Sequence, residues 1–274
     1  VGDGTQATTP GVTTAAQIDT PRNTAVDTSG AAFVVEHSGC TIAKITAAGS
    51  LTTHSGTAGS CTHGNGATPT FANPFGIAIH GTDLFVVDNA AWLRRVLTSD
   101  GSASDYAGSG VAGCLDGPLG TGKVSPINPS PDSAGNVFVA DWTFTIRKVD
   151  TSGVLTTVAG TGAQGSSDNV IGVWAKFDKP YGLAVDANDY VFIVEYTLGY
   201  VRLLSPEGVV TTLLGGGTPL TSPHGIAVNA AGDVFICDTG NQVVRAYQVS
   251  PTAPTASPTA PTLPAETWAA GSIQ

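Results

Sequence analysis

Short apolar runs broken by Gly, Pro, Asp and Thr set the pattern of this chain. Five such runs end on an acid: GAAFVVE at Glu36, TDLFVVD at Asp88, GNVFVAD at Asp141, DYVFIVE at Glu195 and GDVFICD at Asp238. Runs this short, rich in Val, Phe and Ile and bounded by turn residues, predict β-strands. In VFVAD and VFIVE both alternating faces are apolar, as expected for a strand sandwiched between neighbouring sheets. A Pro-led strand precedes each run: PRNTAVD from Pro21, PFGIAIH from Pro74, PINPSPD from Pro126, PYGLAVD from Pro180 and PHGIAVN from Pro223. A third strand with a basic residue follows each one, carrying Lys44, Arg95, Lys148, Arg202 or Arg245. Four repeats continue into a fourth strand: GSLTTHSG, GSASDYAG, GVLTTVAG and GVVTTLLG. The terminal acids are 52, 53, 54 and 43 residues apart.

The repeating unit PxGIAVD..GNVFVAD, then IRKVD..G.VTT.AG, resembles the NHL repeat over roughly residues 11 to 248. Repeats four and five fit closely; repeat three carries Asn128 where the Gly after the leading Pro belongs. The resemblance implies an all-β fold, a five-bladed NHL-type β-propeller of four-stranded antiparallel blades. NHL propellers more often have six blades, and no sixth set is present here. One blade cannot bury two apolar faces by itself, whereas a closed stack of blades does. Blade cores are expected at about 21–56, 74–110, 126–162, 180–216 and 223–248. Repeat five stops after its third strand, near Tyr247. PGVTTAAQ, from Pro10 to Gln17, resembles EGVVTTLLG and is expected to supply the missing strand and close the ring. The propeller then occupies 1–249, and 250–274 is an extended Pro/Thr/Ser-rich tail.

Composition narrows the function. The net charge is −10 and the 11 Lys and Arg do not cluster, which disfavours nucleic acid and anionic membrane surfaces. No run of 18 apolar residues exists to span a bilayer. The chain begins at Val1 and lacks Met, which suggests a processed product with a signal peptide removed. Low charge, Thr-rich turns and the tail favour an extracellular or cell-surface setting, where a disulfide is expected. Cys40 lies in the link between strands two and three of blade one, and Cys61 in the link leaving that blade. Both links emerge on one face, so a Cys40–Cys61 bond is expected, stabilising by roughly 3 kcal/mol in the loop-entropy model. A Cys61–Cys114 bond is the alternative, and Cys237, inside a strand, is expected to be a buried thiol.

Five carboxylates at equivalent places on one face have the oxygen chemistry for Ca²⁺. The basic residue seven or eight positions after each acid favours structural pairs instead: Glu36 with Lys44, Asp88 with Arg95, Asp141 with Lys148, Glu195 with Arg202 and Asp238 with Arg245. No cofactor is therefore expected, with Ca²⁺ the lesser alternative. The second residues of the Pro-led strands, Arg22, Phe75, Ile127, Tyr181 and His224, are expected to line one face and offer a ligand pocket or plug the channel mouth. Amidating lyases use a related propeller with several zinc-binding histidines. Of His37, His54, His63, His80 and His224, only His224 has an inward position, and one imidazole makes no zinc site. His37 and His63 are expected to be solvated loop residues. No GxSxG occurs, and AGTGAQG lacks the Lys-Ser/Thr and the helix of a phosphate loop.

The tail, SPTAPTASPTAPTLPAETWAAGSIQ, has five prolines in its first fifteen residues, which excludes helix and favours polyproline II. At about 3.1 Å per residue it reaches roughly 70 Å. Thr252, Thr255, Ser257, Thr259 and Thr262 make it an O-glycosylation candidate, and no N-x-Ser/Thr sequon is present. Trp268 and Ile273 are either part of a linker or anchors on a neighbouring copy, which would build a filament if the rotation does not close. Three functional readings follow. The first is a non-enzymatic extracellular scaffold that binds itself, as a homo-oligomer or filament, or binds other extracellular proteins or glycans. The second is a ligand-binding or sensor propeller, and the third a metal-dependent lyase or hydrolase.

Overall fold

The computed structural model describes residues 11–12, 17–88, 91–215, 220–247 and 269–272. It is nearly all-β, with five blades in a propeller ring. Blade one contains β2 (Pro21–Val26), β3 (Ala32–Glu36), β4 (Thr41–Ile45) and β5 (Ser50–Gly56), with β1 (Gly11–Val12) added outside β5. Blade two is β6 (Pro74–His80), β7 (Asp83–Asp88), β8 (Trp92–Leu97) and β9 (Ala103–Gly108). Blade three is β10 (Pro126–Pro131), β11 (Val137–Asp141), β12 (Thr145–Val149) and β13 (Leu155–Ala159). Blade four is β14 (Pro180–Val185), β15 (Val191–Glu195), β16 (Tyr200–Leu204) and β17 (Val210–Leu214). Blade five is β18 (Pro223–Val228), β19 (Val234–Asp238), β20 (Val243–Tyr247) and β21 (Ala269–Ser272). Neighbouring strands follow chain order, as in a meander. Two compact units are present: Val1–Pro131 with Val149–Thr156, and Asp132–Lys148 with Thr157–Gln274.

Local chemistry explains the repeat signature. The Asp ending AVD turns the chain between the first two strands of a blade. Asp27 Oδ1 accepts from the N–H groups of Ser29 and Ala31, and Asp186 Oδ1 from those of Asn188 and Tyr190. Asp132 and Asn229 do the same in blades three and five. Such Asx turns fix the hairpin without tertiary help. The Gly after the leading Pro has a packing reason. A Cβ at Gly76 would lie 2.6 Å from the Ile127 carbonyl oxygen, and one at Gly182 would lie 2.2 Å from that of His224. Blades one and three lack this Gly and carry Asn23 and Asn128, whose side-chain amides bond each other at 3.1 Å.

Core packing is resolved within each unit. In the first, Phe33, Val35 and Ile42 of blade one meet Ile77, Leu84 and Val86 of blade two. In the second, Phe192, Val194 and Val201 of blade four meet Ile226, Val234 and Ile236 of blade five. β11 and β15 are buried on both faces, as their apolar runs predict. β19 departs from this: Val234, Ile236 and Asp238 are buried while Phe235 and Cys237 alternate to the exposed side. Cys237 is therefore an exposed free thiol and not the buried one expected.

The strand completing blade five also differs from expectation. Gly11 and Val12 pair with Leu51 and Ser50 on blade one. The edge of β20 is taken by the end of the chain: Val243 pairs with Ser272, Val244 with Gly271, Arg245 with Ala270 and Ala246 with Ala269. Pairing at a sheet edge runs through backbone N–H and C=O groups, which any extended segment supplies. Likeness of side chains to the other fourth strands therefore did not decide which segment docks there.

Candidate functional site

Strand register decides where the repeated charges go. The acids Glu36, Asp88, Asp141, Glu195 and Asp238 are fully buried at the ends of the second strands. In blades four and five the expected partners are in place: Arg202 Nη1 lies 2.7 Å from Glu195, and Arg245 Nε 2.6 Å from Asp238. In blades two and three the partner is the preceding residue. Arg94 meets Asp88 at 3.4 Å, and Arg147 meets Asp141 at 3.3 Å. Arg95 bonds Asp83 at 2.7 Å and Lys148 bonds Asp132 at 3.2 Å instead. The cause is period-two alternation. Arg94 stands opposite Val86, on the Asp88 face, and Arg95 opposite Phe85, on the other. In blade one the residue on the Glu36 face is Ala43, while Lys44 stands opposite Phe33 and lies over its ring. Glu36 accepts from the Thr41 hydroxyl and, at 2.9 Å, from the Asp19 N–H.

These pairs anchor the links between blades. Arg94, fully buried over Phe71, donates to the carbonyls of Thr70 at 2.6 Å and Gly64 at 2.5 Å, and to Asn65 Oδ1 at 2.7 Å. Arg202, over Phe177, donates to Lys176 O at 3.0 Å, Ser166 Oγ at 3.1 Å and Asp168 Oδ1 at 2.8 Å. The links form small hairpins, bridged Gly64 to Thr70 and Ser167 to Lys176, that also pair with the fourth strand of the following blade at Ala103 and Val210. Burial pushes the carboxyls of Asp88 and Glu195 above their ordinary values despite the arginines. Burial also acts on Asp238, but hydrogen bonds from Asn241, the Thr221 N–H and Arg245 bring it below the ordinary value. Among the described residues, no group of three or more His, Cys, Asp or Glu is arranged to hold a metal ion.

The aromatic residues form a second arrangement. In the second unit, Tyr181 and His224 start the inner strands of blades four and five, and Trp142 and Tyr196 follow the acids of blades three and four. Their rings form one cluster. Tyr181 lies 4.7 Å from His224 and 6.0 Å from Trp142, nearly perpendicular to both, and Tyr196 lies 5.1 Å from His224. His224 Nδ1 is 3.0 Å from both Ser222 O and Thr239 Oγ1, which fixes the imidazole plane. Trp142 is 49% exposed and the other three residues are half-buried, so the cluster is open to solvent in part. In the first unit, Arg22 lies over the ring of Phe75 at 5.4 Å, and the His37 ring stands edge-on to Phe75 with centroids 5.9 Å apart. Ile127, the residue expected at the same place in blade three, is buried, 1% exposed.

Several further placements correct or extend the sequence reading. Cys40 and Cys61 are bonded, with Cα atoms 5.3 Å apart, so the alternative Cys61–Cys114 bond does not form, and Cys114 is exposed. His37 and His63 are engaged and not simply solvated. His37 Nδ1 is 3.1 Å from Pro74 O, and His63 stacks on Trp92 and meets Asp105 at 3.0 Å. An exposed apolar patch that the strand pattern did not reveal lies on the link to blade four: Val170, Ile171, Val173 and Trp174, around the 3₁₀ turn Gly172–Trp174. Trp268, Ile273 and the candidate glycosylation positions Thr252, Thr255, Ser257, Thr259 and Thr262 lie outside the described residues.

The NHL repeat profile matches residues 220–247, the closely fitting fifth repeat. No curated protein matches the sequence. Among solved structures, virginiamycin B lyase from Staphylococcus aureus, in a catalytically inactive form with quinupristin, is 18% identical with a TM-score of 0.58, over 84% of this chain and 67% of its own. A gluconolactonase from Xanthomonas campestris is 13% identical with a TM-score of 0.59, over 83% of this chain and 72% of its own. An auxiliary nutrient binding protein from Bacteroides ovatus is 16% identical with a TM-score of 0.63, over 84% of this chain and 59% of its own. This chain thus spans about two thirds of the lyase and less of the nutrient-binding protein. Similarity at these identities establishes the fold, and proteins sharing it include enzymes and binders alike.

Proposed function

From an NHL-repeat β-propeller whose repeated carboxylates are held by its own blades, we infer a non-enzymatic extracellular scaffold that binds its partner through exposed aromatic rings. The observation that carries this reading is the cluster of Trp142, Tyr181, Tyr196 and His224. Perpendicular rings make a walled surface with an apolar face and polar edges. That chemistry suits a saccharide ring, which stacks on an aromatic face and bonds through its hydroxyls. Glycans of a surrounding matrix are therefore the proposed partner class. The Cys40–Cys61 bond supports a setting outside the reducing cytoplasm. The Pro/Thr-rich segment, with Thr252, Thr255, Ser257, Thr259 and Thr262 as O-glycan acceptors, fits the same setting, and mass spectrometry of that peptide from the native source checks it.

Binding is tested on a glycan array, followed by calorimetry on the best ligand. Trp142→Ala should weaken binding by about tenfold or more, the scale of one lost aromatic contact worth roughly 1–2 kcal/mol. Unchanged affinity in that variant, or no glycan bound at all, overturns the reading.

A further inference from the structure

Resting on the glycan reading of the aromatic cluster, we propose that His224 Nε2 is its hydrogen-bond acceptor. It selects a neutral saccharide that offers an unsubstituted hydroxyl beside its apolar face.

The other ring nitrogen decides which proton the imidazole carries. His224 Nδ1 lies 3.0 Å from Ser222 O and 3.0 Å from Thr239 Oγ1. A carbonyl oxygen only accepts, so Nδ1 is the protonated nitrogen. Thr239 agrees with this: its hydroxyl donates to Cys237 O at 3.4 Å, which leaves an oxygen lone pair to accept from Nδ1–H. A neutral imidazole carries one N–H, so Nε2 keeps a bare lone pair. Among the described residues nothing hydrogen-bonds Nε2, and it is not one of the buried side-chain atoms without a partner. It is therefore open to solvent. The Tyr181 and Tyr196 rings stand at 79° to the imidazole, with centroids 4.7 and 5.1 Å away. An acceptor thus sits among apolar ring surfaces, and a ligand that covers those rings has to bring the proton. A sugar hydroxyl does so while the C–H face of the same ring meets an aromatic neighbour. A carboxylate or sulfate group only accepts and would set lone pair against lone pair. The net charge of −10 disfavours such anions as well.

Nitrogen NMR of the isotope-labelled full chain at alkaline pH, where imidazoles are neutral, reads the tautomer directly. The His224 signals are identified by their contacts with the Tyr181 and Tyr196 rings. The expected result is a protonated Nδ1 and a bare Nε2. A protonated Nε2 overturns the proposal whatever the protein binds. This measurement needs no variant, so it decides even where a substitution prevents folding. Affinity is then measured for the best glycan from the array and for its monodeoxy analogues. The proteins compared are the unmodified chain and His224→Phe, which keeps a ring and removes both nitrogens. One analogue should bind the unmodified chain about three- to tenfold more weakly than the parent glycan, the scale of one neutral hydrogen bond. The same analogue should bind His224→Phe as well as the parent does, which ties the lost hydroxyl to this side chain. Equal losses in both proteins for every analogue overturn the role of His224, while a loss in Trp142→Ala still upholds the aromatic site. Absence of any bound glycan overturns both.

Discussion

Arg202→Met puts the buried charge pairs to a direct test. Arg202 is fully buried, 2.7 Å from Glu195, and also serves Lys176 O, Ser166 Oγ and Asp168. Methionine keeps apolar contact with Phe177 but leaves Glu195 as a buried carboxylate without its cation. Removing one partner of a buried pair costs about 3–5 kcal/mol. Some packing is retained, so a loss of about 3 kcal/mol is expected, which for a chain of this size lowers Tm by roughly 6–12 °C. The loss should also depend on pH. Burial already holds the Glu195 carboxyl above its ordinary value, and Arg202 opposes that rise. An acid raised in the folded state contributes stability below its unfolded pKa and loses it as pH rises through the folded one. Without the arginine the carboxyl rises further, so the deficit should be largest above neutral pH and shrink toward about pH 5. Adding Glu195→Gln should restore part of the loss, because a neutral side chain needs no cation. Thermal melts of the unmodified chain and the two variants at several pH values provide the readout. A deficit below about 1 kcal/mol, or one independent of pH, refutes the account of these pairs as structural anchors.

Reducing the Cys40–Cys61 bond should cost roughly 3 kcal/mol, read as a lower Tm with thiol reductant present than absent. Gly182→Ala should destabilise by about 1–3 kcal/mol, because its Cβ would meet the His224 carbonyl at 2.2 Å, and it should disturb the histidine's NMR signals as well.

The blades were legible because each strand is short, apolar and punctuated, and because one unit recurs. The arginine partners were harder to place. The link after the acid is one residue shorter in blades two and three, Asp88 to Trp92 and Asp141 to Thr145, than in blade four, Glu195 to Tyr200. One residue flips a strand side chain to the opposite face. Two adjacent basic residues in each of those strands, Arg94–Arg95 and Arg147–Lys148, then hid which one turns inward. Tyr181 and His224 were expected on one face from their place on the inner strands, and their rings meet. Trp142 and Tyr196 were missed, although each directly follows a repeated acid and that shared position was a usable signal. Ala269–Ser272 carries no strand signature, since its pairing comes from backbone alone.

The links between blades have a consequence for how the molecule comes apart. The links entering blades two and four are held by the arginine of the blade they enter, and their tips pair with that blade's outermost strand, Gly66 with Ala103 and Asn169 with Val210. A link leaves one blade at its outer edge and enters the next at its inner edge, buckled along the way. Fraying a blade from the outside therefore tugs on the connection to its predecessor. Repeats in simple linear arrays melt almost one by one, with nearest-neighbour coupling alone holding them in step. Here the connecting link is itself hydrogen-bonded into the blade it enters, so blades joined in this way are not expected to unravel as independent modules. Mechanical load or partial proteolysis should release blades together, in steps larger than one repeat.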